Sequence, residues 1–450
     1  MQKARALLSS PVAMVVVAFA IRVALLFITF HGQPVPAGNR YPIGGEVGSI
    51  AASFATGHGF SSPLEVNSGP TAWTTPVFPL LLAGFFKIFG VYTFTSSISV
   101  RLFNVLLSSI TCYPLFLLGQ RLFGAAPAAA AGWFWALLPK AVYFSVMWVW
   151  DTSLSALILS ICLLTTYAVQ KYPNAKTWMG YGALWGFATL VNAALLVVFP
   201  GSLLFATAKL RQPSLRRLRL SALAVLGFGL AISPWVIRNQ LVFHGQVLLR
   251  SNFGLELWLG NNPEVPVSWS WWLHPTESQK EKEDFLQLGE VAYMQEKKVA
   301  AIQFIKTHPA DTLRFQYHRF METWTGFGEP FLDIWRGAKL WLRAELSWNY
   351  ALTVLMLFGL LCARRKLPVE SLPLFNVIAV FPAIYYVTHT TPRYRHPIDP
   401  IVVLLAAYAV VSGARYISGR IALLRAGRQL HAAPPAEVRR PVVYNPCFFA

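Results

Sequence analysis

Three short groups of polar residues stand out in a chain that is otherwise strongly apolar. Glu46 follows two glycines in GGEVGSIAAS, and Asp151 follows an aromatic segment in WVWDTS. Arg393, Arg395 and His396 lie together in TPRYRHP. A carboxylate can orient or deprotonate a hydroxyl group, and the guanidinium fork of arginine matches the oxygens of a phosphate. These residue types would suit a reaction between a hydroxyl and a substrate that carries phosphate.

Each group also has a structural explanation. Glu46 and Asp151 both precede helical segments, where an acidic side chain stabilises the free backbone N–H groups of the first turn. Arg393 and Arg395 could anchor the chain at a membrane–water interface, because long basic side chains reach from apolar surroundings to water. The sequence alone leaves both explanations open.

Further candidates are weaker. Lys87 in a short apolar segment and Arg238 in PWVIRN are second choices for binding a phosphate. Asn261 and Asn262 in LWLGNNP could bond substrate hydroxyls, but Asn-Asn-Pro is also typical of a turn. His58 is a candidate substrate contact, although GHGF likewise favours a turn.

Metal binding has little support in the sequence. The nine histidines are scattered without the spacing that metal ligands usually have. No cofactor is indicated, and a divalent ion held jointly by Glu46 and a phosphate is left open.

Composition identifies an integral membrane protein. The chain has 450 residues, of which 55% are hydrophobic and 13% charged, whereas about 25% of the residues of a soluble domain are charged. The net charge of +19 does not indicate nucleic acid as a partner, since the basic residues lie mainly in short linkers between apolar runs. That distribution is the positive-inside pattern of a multi-pass protein.

Ten apolar segments are candidate membrane helices, and both termini would be cytoplasmic. Arg22 lies inside the first segment, where a charge needs a functional or structural explanation. A first outer loop would cover residues 31–96, with a surface helix over 46–56 and an interfacial helix over 77–89. The ten segments are 12–30, 98–119, 126–146, 152–169, 178–191, 193–208, 218–237, 348–362, 372–388 and 398–417.

Four regions follow from this topology. Residues 1–237 form a transmembrane catalytic region that includes the first outer loop, and residues 238–345 form a helical extracytoplasmic module. Residues 346–417 are C-terminal transmembrane helices, and 418–450 a cytoplasmic basic tail without a fixed structure. No strand pattern and no nucleotide-binding glycine pattern is present in the sequence.

Four stretches together resemble a known family. They are residues 44–90, WVWDTSLSALIL (148–159), SPWVIRNQLVFHGQVLLRSNFGLELWLGNNP (233–263) and TPRYRHPIDP (391–400). Their order and spacing resemble bacterial membrane glycosyltransferases of family 39, the dolichyl-phosphate-mannose protein mannosyltransferase group with the GT-C fold. The resemblance implies an all-α polytopic protein, a GT-C-like bundle of about 10–13 transmembrane helices, with short interfacial helices in the first outer loop.

The resemblance also implies an activity. The enzyme would transfer a sugar from a polyprenyl-phosphate donor to a lipid, glycan or protein acceptor at the outer face of a bacterial inner membrane, with inversion. Glu46 falls on the position of the catalytic acid, and Gly45 stands where many members have a second acid. Asp151 matches an acid of the second outer turn, and Arg393, Arg395 and His396 would bind the donor phosphate.

Two other classes were weighed. A transporter or a flippase for lipid-linked sugars would usually show paired halves and broken helices at the membrane midplane, and no such halves are evident. A non-catalytic scaffold would use the module at 238–345 for binding. The sequence does not name the sugar or the acceptor.

Overall fold

The computed structural model describes residues 8–30, 43–64, 66–327 and 339–432 of the chain. Within these ranges the regular structure is helical. One isolated bridge, between Ser61 and Pro70, is the only β pairing in them. The prediction of an all-α polytopic protein is confirmed.

The helices follow one another with short connections. The first group is α1 (Pro11–Phe30), α2 (Gly45–Ala55), α3 (Val77–Phe89), α4 (Phe94–Ile110), α5 (Cys112–Phe123), α6 (Ala125–Leu137), α7 (Pro139–Met147), α8 (Thr152–Ala168), α9 (Ala175–Val191), α10 (Phe199–Ala208) and α11 (Ser214–Val242). The second group is α12 (Phe253–Gly260), α13 (Gln279–Leu288), α14 (Glu290–Thr307), α15 (Pro309–Thr325), α16 (Leu340–Lys366), α17 (Leu372–Val380), α18 (Ala383–Val387) and α19 (Asp399–Ala432).

Six helical stretches of the described residues are long and apolar enough to cross a membrane. They are Pro11–Phe30, Phe94–Phe123, Thr152–Lys171, Ser214–Val242, Leu342–Lys366 and His396–Leu424. Shorter apolar helices cover Val77–Phe89, Ala193–Ala208 and Leu372–Val387. The last long helix, α19, continues to Ala432, well beyond the predicted end of its apolar segment. Residues 433–450 of the predicted tail lie outside the described residues.

The segment predicted as one helix over 126–146 is two helices, α6 and α7, with a break at Pro139. Proline has no N–H and cannot bond the carbonyl four residues before it. Arg22 of α1 donates instead to the oxygens of Trp135, at 3.2 Å, and Ala136, at 2.9 Å. The fully buried Arg22 thus has a structural role, since it donates to the carbonyls at the end of α6, where the break removes helical hydrogen bonds.

Helices α9 and α11 pack backbone to backbone through glycines. A Cβ atom on Gly182 would lie 1.7 Å from the oxygen of Ala224, and one on Gly227 would lie 2.1 Å from the oxygen of Met179. Only glycine fits at such a distance. The contact holds the end of α9 beside α11, and the turn after α9 opens onto the site described below.

Helices α12 to α15 form a small module that lies against the loop before α3. Phe285 of α13 packs at 5.7 Å from Trp73 of that loop and at 5.4 Å from Tyr293 of α14. Inside the module, Glu281 accepts a hydrogen bond from the Tyr293 hydroxyl at 2.7 Å and pairs with Lys297 at 2.5 Å. The module therefore fixes the loop that carries Trp73.

Candidate active site

A cavity of about 720 Å³ lies at the end of the bundle where α8 begins and α9 ends. Glu46, Asp151 and Arg393, one from each group singled out in the sequence, all line it. Much of the remaining wall is aromatic. The aromatic residues on the cavity include Trp73, Trp150, Trp269, Trp271, Tyr385 and Tyr394.

Glu46 lies in the first turn of α2 and is held close to the segment that carries Asp151. Gly44, which precedes the helix, has a φ of 71°, and a Cβ there would lie 3.0 Å from the oxygen of Val149. Glycine is needed because the backbone is left-handed and in close contact. The Glu46 Oε1 atom lies 3.3 Å from Nε2 of His274, in the loop before α13.

Asp151 precedes α8, yet its side chain does not cap that helix. Its Oδ2 accepts hydrogen bonds from the Ser155 hydroxyl at 2.9 Å and from the Asn192 amide at 3.0 Å. Burial raises the pKa of Asp151, and the hydrogen bond from Ser155 opposes this only in part. The carboxyl group is thus fixed between the start of α8 and the turn after α9.

Arg393 is surrounded by aromatic rings. Its guanidinium carbon lies 4.4 Å from the ring centre of Trp150, 5.2 Å from that of Trp148 and 5.3 Å from that of Tyr394. Burial lowers the pKa of Arg393, but Tyr394 and the carboxylates of Glu46 and Asp151 outweigh it and raise the pKa. Arg393 is therefore a fixed cation that interacts electrostatically with both acids.

Several further titratable residues on the cavity were missed by sequence reasoning, among them Arg250, Glu256 and His389. Arg250 donates to the oxygen of Trp73 at 3.2 Å and lies 3.9 Å from Oε1 of Glu256. Oε2 of Glu256 contacts Nε2 of His389, which is 133 residues away in sequence. Burial raises the pKa of Glu256, but His389 and then Arg250 lower it to about 2. Arg250 and Glu256 belong to the stretch at 233–263 that carries the resemblance, which is the one signal that could have indicated them.

Arg395 and His396 do not line the cavity, although both were predicted to bind phosphate. Arg395 pairs with Asp399 at 2.8 Å and donates to the oxygen of Trp324 at 3.0 Å. His396 is fully buried and stacks on Trp135, with ring centres 5.4 Å apart. Both side chains are directed into the protein core at the start of α19.

Arg238 is likewise engaged in structure. Its guanidinium donates to the backbone oxygens of Thr71, at 2.7 Å, and Phe60, at 2.9 Å. Glu290 accepts from the backbone N–H of Ala72 at 2.8 Å, beside this contact. The two side chains fasten the first loop to α11 and α14, and this explains the need for an arginine in PWVIRN.

Asn261 and Asn262 form a buried turn after α12. The Asn261 amide donates to the oxygen of Val387 at 2.9 Å, and the Asn262 amide donates to the Ser270 hydroxyl at 2.7 Å. The turn explanation therefore describes their contacts, and neither lines the cavity.

His58 and Lys87 lie away from the cavity as well. His58 is exposed, and its Nδ1 is 2.9 Å from the Thr56 hydroxyl at the end of α2. The Lys87 ammonium lies 5.6 Å from the ring centre of Phe54. These contacts fit the loop and interfacial roles that the sequence also allowed.

No group of three or more His, Cys, Asp or Glu side chains converges as a metal site in the parts of the chain that the structure describes. Within those parts, the protein alone does not provide a full ligand set.

Comparison with known proteins finds a family match over part of the chain. Residues 73–237 match the family model of dolichyl-phosphate-mannose-protein mannosyltransferases. A search of curated proteins found no match.

Solved structures show the fold. Archaeal oligosaccharyltransferase AglB from Archaeoglobus fulgidus, in complex with an inhibitory peptide and a dolichol-phosphate, matches with a TM-score of 0.53 and 14% identity over 94% of this chain and 52% of AglB. The apo form of the oligosaccharyltransferase from that organism matches with a TM-score of 0.54 and 13% identity over 92% of this chain and 52% of the other. This chain spans about half the length of those proteins.

A structure of ArnT from Cupriavidus metallidurans bound to undecaprenyl phosphate aligns with a TM-score of 0.35 and 16% identity over 89% of this chain and 78% of ArnT. The resemblance drawn from the four sequence stretches is confirmed: the chain has a GT-C-like fold, and its residues 73–237 match the dolichyl-phosphate-mannose-protein mannosyltransferase family.

Proposed function

We propose that the chain is a GT-C-type membrane glycosyltransferase that moves a sugar from a polyprenyl-phosphate donor to a lipid, glycan or protein acceptor. One observation carries the proposal. Glu46, Asp151 and Arg393 are far apart in sequence, and they line one cavity together with Arg250. Acids that could activate a hydroxyl and cations that could bind a phosphate thus meet in one place. The match of residues 73–237 to a family named for a lipid-phosphate sugar donor supports the same reaction.

The arginines suit the departure of the donor lipid. A sugar joined to polyprenyl phosphate through C1 leaves one negative charge on the phosphate. When the bond between C1 and the phosphate oxygen breaks, the oxygen keeps the electron pair and the phosphate gains a second charge. Arg393 and Arg250 would stabilise this charge, and their attraction grows as it develops, which is how a fixed cation lowers a barrier.

Glu46 is the base of this proposal. The acceptor oxygen attacks C1 from the face opposite the phosphate, so the configuration at C1 inverts, and its proton passes to the Glu46 carboxylate. His274, 3.3 Å from that carboxylate, would keep it oriented. With a phosphate as acceptor, no proton needs to be removed, and Glu46 would then orient the attacking oxygen.

Asp151 has a positioning role in the proposal. Its Oδ2 is already committed to Ser155 and Asn192, so it is less free than Glu46 to take a proton. Its charge acts on Arg393 and would hold the guanidinium at the cavity.

The cavity would face the outside of the cell. The basic segments KLRQPSLRRLR (209–219) and RRK (364–366) lie at the other end of the bundle, where Lys209 pairs with Glu370 at 2.6 Å. The positive-inside rule assigns such an end to the cytoplasm. The cavity would then open at the outer face of the membrane. In a bacterium this membrane would be the inner membrane.

The test is donor turnover by the purified protein in lipid. Radiolabelled polyprenyl-phosphate sugars are supplied with membrane extract as the source of acceptors, and movement of label from the lipid is measured. We expect Glu46→Gln to fold normally and to lose about a hundredfold or more in rate, as removal of a general base does. Glu296→Gln, an exposed acid of α14, is the matched control and should keep the native rate.

Two results would contradict the proposal. Near-normal transfer by Glu46→Gln would remove Glu46 from the base role. If the native protein consumes no sugar donor of a broad panel, the transferase assignment fails. Movement of a labelled lipid across sealed vesicles would then support the flippase or transporter alternative.

A further inference from the structure

His389 is a buried side chain of the cavity with one ring nitrogen in use and one without a partner. Its side chain is 4% exposed, and Nε2 contacts the Glu256 carboxylate. Nδ1 has no hydrogen-bond partner among the described residues. Buried polar atoms are nearly always paired, so an unpaired nitrogen on the wall of a cavity indicates a partner atom that a ligand supplies.

The contact with Glu256 settles what Nδ1 can offer. The pKa of Glu256 is about 2, so this carboxylate is ionised and can only accept. Nε2 of His389 therefore carries the hydrogen of their bond. Nδ1 presents a lone pair on a neutral ring or an N–H on a charged ring, and a hydroxyl group can pair with either.

The surroundings hold the ring in one orientation. The His389 ring stacks on Trp269 with centres 4.6 Å apart and an angle of 9° between the planes. Asn252 donates to Glu256 at 2.6 Å. Arg319 donates to the oxygens of Ser268, at 2.9 Å, and Val387, at 3.0 Å, which lie one residue before Trp269 and two residues before His389. The histidine and its tryptophan are thus fixed from both sides.

We propose that Glu256 and His389 form a sugar subsite, in which Nδ1 of His389 bonds a hydroxyl of a sugar ring. This inference rests on the proposed function. The carboxylate of Glu256 beside His389 disfavours a second anion, so the subsite suits a neutral polar group better than a phosphate. Tyr394, whose ring centre is 5.5 Å from that of His389, adds an aromatic face suited to the apolar side of a sugar. The sugar belongs to the donor or to a glycan acceptor.

A matched pair of substitutions separates the two nitrogens. The amide of His389→Asn lies close to where Nδ1 was, whereas the amide of His389→Gln reaches toward Nε2. Both variants lose the stack on Trp269, and His389→Asn also loses the contact with Glu256, so His389→Asn should be the less stable variant. Tighter ligand binding by this less stable variant therefore reports on Nδ1 and not on folding.

Binding is measured with polyprenyl phosphate alone and with polyprenyl phosphate that carries mannose, glucose or galactose. We expect the native protein to bind one sugar-bearing lipid more tightly than the bare lipid. His389→Gln should lose about tenfold in affinity for that lipid, as the loss of one hydrogen bond does, and keep its affinity for the bare lipid. His389→Asn should lose less.

The acceptor forms the second arm. If the bound sugar is that of a glycan acceptor, His389→Gln keeps both lipid affinities but raises the KM for the acceptor about tenfold. Equal behaviour of the two variants in both arms would overturn the subsite, as would equal weakening for bare and sugar-bearing lipid. A native protein that binds neither lipid refutes the proposed function itself, which distinguishes the two failures.

Discussion

Replacement of Arg393 by alanine tests the centre of the proposed chemistry. The guanidinium lies between aromatic rings at 4.4 to 5.3 Å and beside the carboxylates of Glu46 and Asp151. Alanine removes the charge, the phosphate-binding fork and the contacts with the rings. Lysine keeps the charge but removes the planar fork, and so it separates the two contributions.

The size of the effect follows from the charge that the phosphate gains. A cation about 4 Å from a unit negative charge contributes about 4 kcal/mol at an effective dielectric constant of about 20. That corresponds to about a thousandfold in rate. Arg250 lines the same cavity and retains part of this stabilisation. We therefore expect Arg393→Ala to lower kcat/KM for the donor by about a hundredfold, and Arg393→Lys by about tenfold.

The assay is transfer of label from the polyprenyl-phosphate sugar at donor concentrations below and above KM. Arg393→Ala should raise the donor concentration that is required as well as lower the maximal rate, because the guanidinium would bind the phosphate before and during bond cleavage. Thermal unfolding in detergent serves as the control for folding. A rate within about twofold of native at every donor concentration would refute the assignment of Arg393 to the phosphate.

Two further predictions concern stability. Gly182→Ala places a methyl group 1.7 Å from the oxygen of Ala224, and we expect it to destabilise the protein by about 1–3 kcal/mol in thermal unfolding. The control, Gly180→Ala, meets nothing within 4 Å and should be neutral or slightly stabilising. Equal effects of the two substitutions would contradict the close packing of α9 on α11. The pKa of Glu256 is lowered from 4.5 to about 2, so its pairing with His389 stabilises the fold above pH 4.5 and is lost as the pH falls toward 2. Glu256→Gln should therefore show a smaller loss of melting temperature than the native protein over that window, and an identical pH dependence would contradict the pairing.

The helices could be predicted largely from apolar runs. The helix over 77–89 matches its prediction residue for residue, because its apolar stretch is bounded by Pro76 and Gly90. The break at Pro139 was not predicted, because the helix over 126–146 was assigned from its apolar composition alone. Arg22, which donates a hydrogen bond to the oxygen of Trp135 beside this break, lies 113 residues away from Trp135 in sequence.

The residues of the site could be predicted where acidic side chains are rare in the sequence. Glu46 and Asp151 are among few acids outside the module, and both line the cavity with Arg393; their roles stay predictions. The sequence did not indicate which of Arg393 and Arg395 lies on the cavity, because both are arginines. Two residues along a tight turn point in nearly opposite directions, since each helical residue turns by about 100°. Arg393 therefore meets the cavity while Arg395 pairs with Asp399 in the core.

Sequence reasoning failed for Arg250, Glu256 and His389 for a different reason. Each is ordinary in its local sequence and becomes part of the cavity wall only through partners that the fold brings close. Glu256 and His389 meet across 133 residues, and no local pattern encodes that contact. Pairs of this kind need the tertiary structure.

The residues that line the cavity come from widely separated parts of the chain, and this has a consequence for biosynthesis. Glu46 and Asp151 are synthesised early, while His389, Arg393 and Tyr394 are synthesised just before α19, the last of the described helices. A ribosome-bound chain that ends before residue 389 already contains Arg250 but still lacks Arg393 and the ring of His389. On the proposed function, the growing chain would gain activity only once His389 and Arg393 have been made and have joined the residues supplied by the earlier helices.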